Sequence, residues 1–438
     1  MSASLGYRDV WSRAWPIILA NSAVPLLGLT DTAVIGNFGT LPQLGAIALG
    51  ALIFSFVYWG FGFLRMGTTG FTAQAAGAGD EIEVRAALGR ALLIAAVLGL
   101  ALIALQWPIA NIALRMLSSS DEVESLAAGY FGIRIWGAPA VLGTYALMGS
   151  LIGLGRSREL LQAQLLLNGM NIVLDVLFAG VLGWGARGIA LGTVVAECTT
   201  LLYAGVLVHG ILRGRRTDTA PFWPWQRLRD PERLRHTLGA NSDILIRTLA
   251  LLFSFAWFVN QSAAFGDAVL AANHVLLQLV SFSAFFLDGY AFVAESLVGE
   301  AVGARQRDRL KLAVRRSTQL AGSTALALAA LIAGFGDLAV ERLTDIAAVR
   351  SSALAALPWA ALYVLLSFPA FQLDGIFIGA TRTRAMRNAS VLSAGVFLLV
   401  WWLLAPTFGN DGLWWSFIAY VVMRAVALGI YYPGLVRL

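Results

Sequence analysis

The chain has 438 residues, 58% hydrophobic and only 13% charged, with a formal net charge of +6 and a mean hydropathy of +0.75. A soluble domain carries roughly 25% charged residues, so this sequence cannot clothe itself in a polar surface, and lipid must form part of its solvent. The single Cys198 excludes an intrachain disulfide and lies in an apolar run, where a small buried residue is expected. His209, His236 and His274 are scattered without ligand spacing, which argues against a metal site. The basic balance does not point to nucleic acid, because the arginines sit in short loops between apolar runs.

Apolar runs of about twenty to thirty residues begin near Ala14, Leu44, Ala87, Val123, Leu160 and Gly188, and again near Leu238, Ala268, Leu310, Ser351, Asn388 and Gly412. The first contains Pro16 and Pro25 and reads as a retained helix, not a signal peptide. Only helices cross a bilayer at that length, because each backbone donor and acceptor must be satisfied within its own segment. The expected fold is all-α and integral to the membrane, with twelve transmembrane helices in two six-helix lobes.

Arginine placement chooses the topology. With both termini and the even-to-odd loops in the cytoplasm, the opposite loops keep only Arg115, Arg187, Arg342 and Arg350. That asymmetry satisfies the positive-inside rule and predicts a multi-pass plasma-membrane protein with both ends inside. Residues 1–212 form the expected N-terminal lobe, 213–236 a cytoplasmic basic linker and 237–438 the C-terminal lobe. In the linker, Trp223 and Trp225 lie among prolines and arginines, a pattern suited to anchoring at anionic lipid.

The halves repeat at an offset of about 226 residues. Leu44-Gly45-Ala46 falls on Leu270-Ala271-Ala272, Gln74-Ala75-Ala76-Gly77-Ala78 on Glu300-Ala301-Val302-Gly303-Ala304, and Arg156-Ser157-Arg158 on Arg382-Thr383-Arg384. An even number of spans per repeat gives both halves the same orientation, the arrangement of transporters whose halves rock about a site between them.

Ionisable groups within spans cost about 2.5 to 3.5 kcal/mol to insert and mark function by default. Asp31 in span one and Asp175 in span five reach similar depth. Asn171 lies one turn from Asp175 on the same face, Thr193 enters span six at matching depth, and Glu197 follows one turn on. A carboxyl held there is expensive to keep charged, which suits it to carrying a proton, or to binding Na⁺ when ionised. No arginine is expected beside Asp31 and Asp175 at that depth. In the second half, Asp243 and Arg247 stand four apart on span seven, while Asp288 and Asp374 come late in inward-running spans. There a structural network of paired charges is expected. Pro16 and Pro25 precede Asp31 and make span one kinkable.

The stretch Phe63-Leu64-Arg65-Met66-Gly67-Thr68-Thr69-Gly70, with Ala73-Gln74-Ala75, resembles the DinF branch of the multidrug and toxic compound extrusion (MATE) transporters. Asp31-Thr32-Ala33-Val34-Ile35-Gly36, the Asn171/Asp175 pair and Gln372-x-Asp374-Gly375 are similar as well. The resemblance implies a V-shaped pair of six-helix lobes and export of organic cations or other amphipathic xenobiotics, driven by H⁺ or Na⁺ entry. It further implies a cation site at Asp31, Asn171, Asp175 and Thr193, with the family's span-one proline at Pro16. Leu27 is a departure, standing where a tyrosine can complete the polar network. Nothing between Phe253 and Gln261 matches the span-seven acid of the NorM-type branch.

No cofactor is expected, and the expected partners are small amphipathic molecules and lipid, with the chain acting as a monomer. A lipid-linked precursor flippase is the alternative within transport. It would line its cavity with cationic residues, whereas only Arg65, Arg134, Arg247 and Arg424 fall within spans. An intramembrane transferase would need an Asp-rich pair, a His-Glu cluster or a nucleophile with its base, and none is evident.

Overall fold

The computed structural model describes residues 5–116 and 120–437, apart from the side chains of Leu26, Leu27, Leu29 and Met116. The departure noted at Leu27 therefore lies outside the described residues. Among those described, the regular elements are all helical.

Helices α1 (Tyr7–Ser22) and α2 (Val24–Phe38) make the first span. Then come α3 (Leu41–Gly60) with α4 (Phe63–Gly77), α5 (Glu81–Ala104) followed by the short α6 (Gln106–Met116), and α7 (Asp121–Arg134) with α8 (Ala138–Gly153). Next, α9 (Ser157–Asp175) continues into a π-helical turn, Val176–Val181, before α10 (Gly185–Arg215). A single turn, α11 (Trp225–Leu228), precedes α12 (Pro231–Ala264), α13 (Asp267–Gly303), α14 (Arg307–Leu343), α15 (Ala347–Gly379) and α16 (Thr383–Val436).

Ten helical stretches among the described residues are long and apolar enough to cross a membrane. The first span escapes that count because a turn at Ala23 splits it into pieces of 16 and 15 residues. At 54 residues, α16 would extend about 80 Å as one rod, far beyond a hydrocarbon layer of about 30 Å. Gly409, at φ 56° and ψ −128°, breaks it inside, so it supplies two spans. The total is twelve.

Two compact units result, one of Leu19–Thr237 and the other of Leu238 onward together with the chain up to Ile18. The start of α1 is held in the second unit by specific contacts. Tyr7 Oη donates to Gln319 Oε1 at 2.7 Å, the Arg316 guanidinium lies 3.9 Å from the Tyr7 ring centre, and a side chain at Gly289 would strike Ile18. Pro16 lies inside α1 without ending it, and the helix break falls instead at Ala23, with Pro25 in the first turn of α2.

The repeat has a physical counterpart in how each unit packs. Gly149 and Gly153 of α8 press on the carbonyls of Arg65 and Thr69 in α4, where a Cβ at Gly153 would come within 2.7 Å of Thr69 O. In the other unit Gly375 and Gly379 of α15 press on the carbonyls of Ala291 and Glu295 in α13. All eight positions correspond at the same offset of about 226 residues. Without a hydrophobic force to join helices in lipid, small residues four apart let backbones approach closely enough for dispersion to do so.

The basic linker is not a loose tether. The first turn of α5 is acidic, which suits its helix dipole, and three arginines converge on it. Arg227 bonds Asp80 at 2.5 Å, Arg215 bonds Glu81 at 2.6 Å and Arg233 bonds Glu83 at 2.5 Å. Contacts also run the other way, from Arg85 to Asp218 at 2.8 Å and to Phe222 O at 3.0 Å. The absence of a side chain at Gly89 admits Leu228 and Trp223 onto α5. Trp225 stays exposed, with Arg229 5.7 Å from its ring centre.

Burial works to raise the Asp80 carboxyl, but its bonds to Arg227 and to the Glu83 amide outweigh that and hold it below the usual carboxylate range. A carboxyl lowered by folding stabilises above its unfolded pKa of about 3.9, and that support is lost as pH falls through the folded value. Hydrogen exchange in residues 216–230 should therefore be flat from pH 8 to 5, after correction for intrinsic rates, and accelerate below about pH 4. In Asp80→Asn the exchange should already be fast at neutral pH. Equal protection in the variant and the parent chain would show that this pair does not hold the linker.

Candidate functional site

One face of α9 carries a polar ladder. Gln164, Asn168, Asn171 and Asp175 recur at helical spacing, and all four are buried in a unit otherwise rich in apolar side chains. Each rung has its own duty. Gln164 Nε2 donates to Asn168 Oδ1 at 3.3 Å, and Asn168 Nδ2 donates to the Ala23 carbonyl at 2.9 Å. Asn168 thus holds the break in span one, where a helix end inside a bilayer needs a partner for its backbone. Asn171 Nδ2 donates to Thr193 Oγ1 at 3.1 Å, and that hydroxyl donates onward to Ile189 O at 2.9 Å within α10.

Asp175 closes the ladder where α9 widens into its π turn, a distortion common at functional sites. Asp31 reaches it from α2, and the two carboxyl groups face each other at hydrogen-bond range. Such a contact becomes a hydrogen bond only when one partner carries a proton. Both oxygens of Asp175, Oδ1 of Asp31 and Oδ1 of Asn171 are buried without a well-formed hydrogen bond, although the Asn171 side chain lies close enough to act on Asp175. Leaving a buried acceptor unmet costs about 1 to 3 kcal/mol, and more if it is charged, so four such oxygens in one place call for a proton or a cation. Gly192 of α10 makes the room, since a Cβ there would lie 2.7 Å from Asp175 Oδ1.

Asp31, Asn171, Asp175 and Thr193 are therefore brought together. Glu197 is also buried in this unit, but its charge is already matched. Arg134, the last residue of α7, donates from both terminal nitrogens to its two oxygens at 2.7 Å each. The expectation that no arginine stands near the carboxylates is overturned, because Arg134 acts electrostatically on both Asp31 and Asp175. Phe54 and Tyr58 lie beside the guanidinium, 5.2 and 5.6 Å from its carbon. Gly137 leaves space for the Glu197 carboxylate. Pro16 belongs to the other compact unit. Cys198, expected to be buried, is exposed.

The second unit arranges its charges differently. Asp243 and Arg247, four apart, each pair away from their own helix. Asp243 meets Arg387 at 2.8 Å and Thr383 at 3.0 Å, while Arg247 meets Asp374 at 2.5 Å, with Arg424 at 3.4 Å from the same carboxylate. Asp288 on α13 is engaged as well. Among the described residues, no group of three or more His, Cys, Asp and Glu is arranged to hold a metal ion.

The MatE family model matches residues 16–177 and 244–403, one stretch in each half. The chain belongs to the MATE family. It is 35% identical to the DNA damage-inducible protein F of Escherichia coli K12 over 426 residues, covering 96% of this chain and 91% of that protein. It is 26% identical to DETOXIFICATION 44, chloroplastic, of Arabidopsis thaliana over 439 residues, covering 96% and 81%. An outward-facing multidrug resistance MATE transporter of the MOP superfamily matches its fold with a TM-score of 0.86 at 19% identity, over 99% of this chain and 97% of that one. As a MATE protein the chain is a multi-pass membrane transporter and not an enzyme.

Sequence reasoning missed Asn168, Gln164 and Gly192, and it placed Arg134 within a span without bringing it to this site. The first two were signalled by the spacing of amides along α9. Gly192→Ala places a methyl group against Asp175, an overpacking that costs about 1 to 3 kcal/mol. Transport should fall at least roughly tenfold, the equivalent of about 1.4 kcal/mol, while folded yield holds. Gly169→Ala, which meets open space on α9, should transport normally. Equal rates in the two variants would mean that the fit of Asp175 against α10 does not matter.

Proposed function

We propose that this chain is a secondary active exporter, moving organic cations or other amphipathic small molecules outward in exchange for protons by alternating access. The observation that carries the reading is the buried pair Asp31 and Asp175, side chain against side chain, with Asp31 Oδ1 and both Asp175 oxygens lacking a hydrogen-bond partner. One proton shared between them satisfies both, and its loss leaves two like charges in contact. The names of relatives support the substrate class: a multidrug resistance transporter among the solved structures and a DETOXIFICATION protein among the sequences.

The mechanical consequence follows from the break in span one. Loss of the proton drives Asp31 on α2 away from Asp175 on α9, and the turn at Ala23 gives α2 a point about which to move. The Asn168 bond to the Ala23 carbonyl fixes that point. Asn171 and Thr193 hold the level of the site, and the arginine-matched acids of the second unit, Asp243 and Asp374, serve structure. The exporter works as a monomer in the inner membrane, with both termini and the linker on the cytoplasmic side, where Trp225 and Arg229 meet anionic lipid.

Counterflow of a fluorescent organic cation in proteoliposomes tests this under separately imposed pH and Na⁺ gradients. The pH gradient alone should drive transport in the parent chain. Asp31→Asn, which fixes the neutral form, should abolish driven transport, and Asp175→Asn should impair it at least tenfold. Transport driven by Na⁺ and indifferent to pH would assign the unmet oxygens to that ion. Wild-type export by Asp31→Asn would overturn the site.

A further inference from the structure

A fixed guanidinium beside a proton-carrying acid pair is a hazard to the carrier. Arg134 lies buried at the end of α7, within electrostatic reach of Asp31 and of Asp175. A cation free to approach them would pair with the ionised carboxylates and hold them in that state. It is not free to do so. Glu197 takes both terminal nitrogens in a bidentate pair, and that geometry fixes the plane of the guanidinium as well as neutralising it. The rings of Phe54 and Tyr58 lie beside the guanidinium. Gly137, whose missing side chain admits the Glu197 carboxylate, keeps the acceptor where the arginine can reach it.

We infer that Glu197 is a positioning residue that holds Arg134 off the Asp31–Asp175 pair, and that this restraint sets the pH range over which the transporter can load its proton. The inference rests on the proton reading of that pair. Glu197 itself need not exchange a proton or touch the substrate. It acts through Arg134, and its value lies in competing for the guanidinium with the carrier carboxyls.

The surrounding groups leave that role to Glu197. Tyr58 on α3, Tyr130 on α7 and Tyr145 on α8 are the phenols coupled to this charge cluster. Phenols stay neutral across the physiological range and cannot replace a carboxylate as counter-ion. Arg65 on α4 acts on Tyr145, and Cys198, next to Glu197 on α10, points out to the exposed face. Among these neighbours, the anions able to compete for Arg134 are Glu197 and the carrier pair.

The test is the pH profile of counterflow with a fluorescent organic cation in proteoliposomes, taken at symmetric pH from about 5 to 9. In Glu197→Gln the unrestrained Arg134 should favour the ionised carboxylates, moving the half-maximal point for proton loading downward by about one to three pH units. In Arg134→Gln/Glu197→Gln the cation is gone, and the midpoint should return to the parent value or move above it. A Glu197→Gln profile that superimposes on the parent would overturn the inference. Should that variant fail to fold with an unmatched buried charge, the neutral double variant decides alone, and a midpoint below the parent value overturns the inference. A parent chain whose counterflow ignores pH would instead bring down the proton reading itself, separating the two failures.

Discussion

Two carboxyl groups buried against each other cannot both be ionised without a third charge between them. That constraint gives the N-terminal half its character. Asp31 and Asp175 come from helices far apart in sequence, and the elements around them keep the contact close yet breakable. Asn168 satisfies the carbonyl where span one breaks, so the break persists without an unmet backbone group in the bilayer. The π turn begins where Asp175 ends α9, and Gly192 yields the volume its carboxyl needs. Each feature alone is a small departure from regular packing. Together they leave oxygens that only a proton or a cation can satisfy.

The second unit makes the contrast plain. Its buried acids Asp243 and Asp374 have arginines at 2.8 and 2.5 Å, a matched arrangement whose rupture strands a charge. Deep in the first unit the same matching holds at Arg134 and Glu197, within electrostatic reach of the unmatched pair. Shared packing and unshared charge therefore coexist in the two repeats. The glycines that bring α8 onto α4 and α15 onto α13 correspond residue for residue, whereas the buried acids Asp31, Asp175 and Glu197 have no acidic counterparts in the second half.

Much of this was legible in the sequence because hydrophobic run length and arginine placement are strong signals in a membrane chain. Twelve spans, the repeat and the residues Asp31, Asn171, Asp175 and Thr193 could be read from spacing and depth. The attachment of α1 up to Ile18 to the second unit could not, since hydropathy reports that a helix is buried in something and not in what. Cys198 went astray for the same reason, as an apolar run does not say which of its positions are covered by other helices. Arg134 was visible as an intramembrane arginine, but its partner depended on α7 meeting α10. Asp243 and Arg247 had helix-neighbour spacing, yet each found a partner on another helix. Gly192 and Gly137 were silent among 45 glycines.

The proposed exchange couples substrate binding to release of the proton held by Asp31 and Asp175, and proton release on binding measures it directly. A fluorescent organic cation would be added to the purified transporter in weakly buffered solution while the pH change is recorded. The account predicts release of about one proton per cation bound in the parent chain, and none when Asp31 and Asp175 are both replaced by asparagine. Cation binding by the parent chain without proton release, or equal release from the doubly substituted protein, would contradict it.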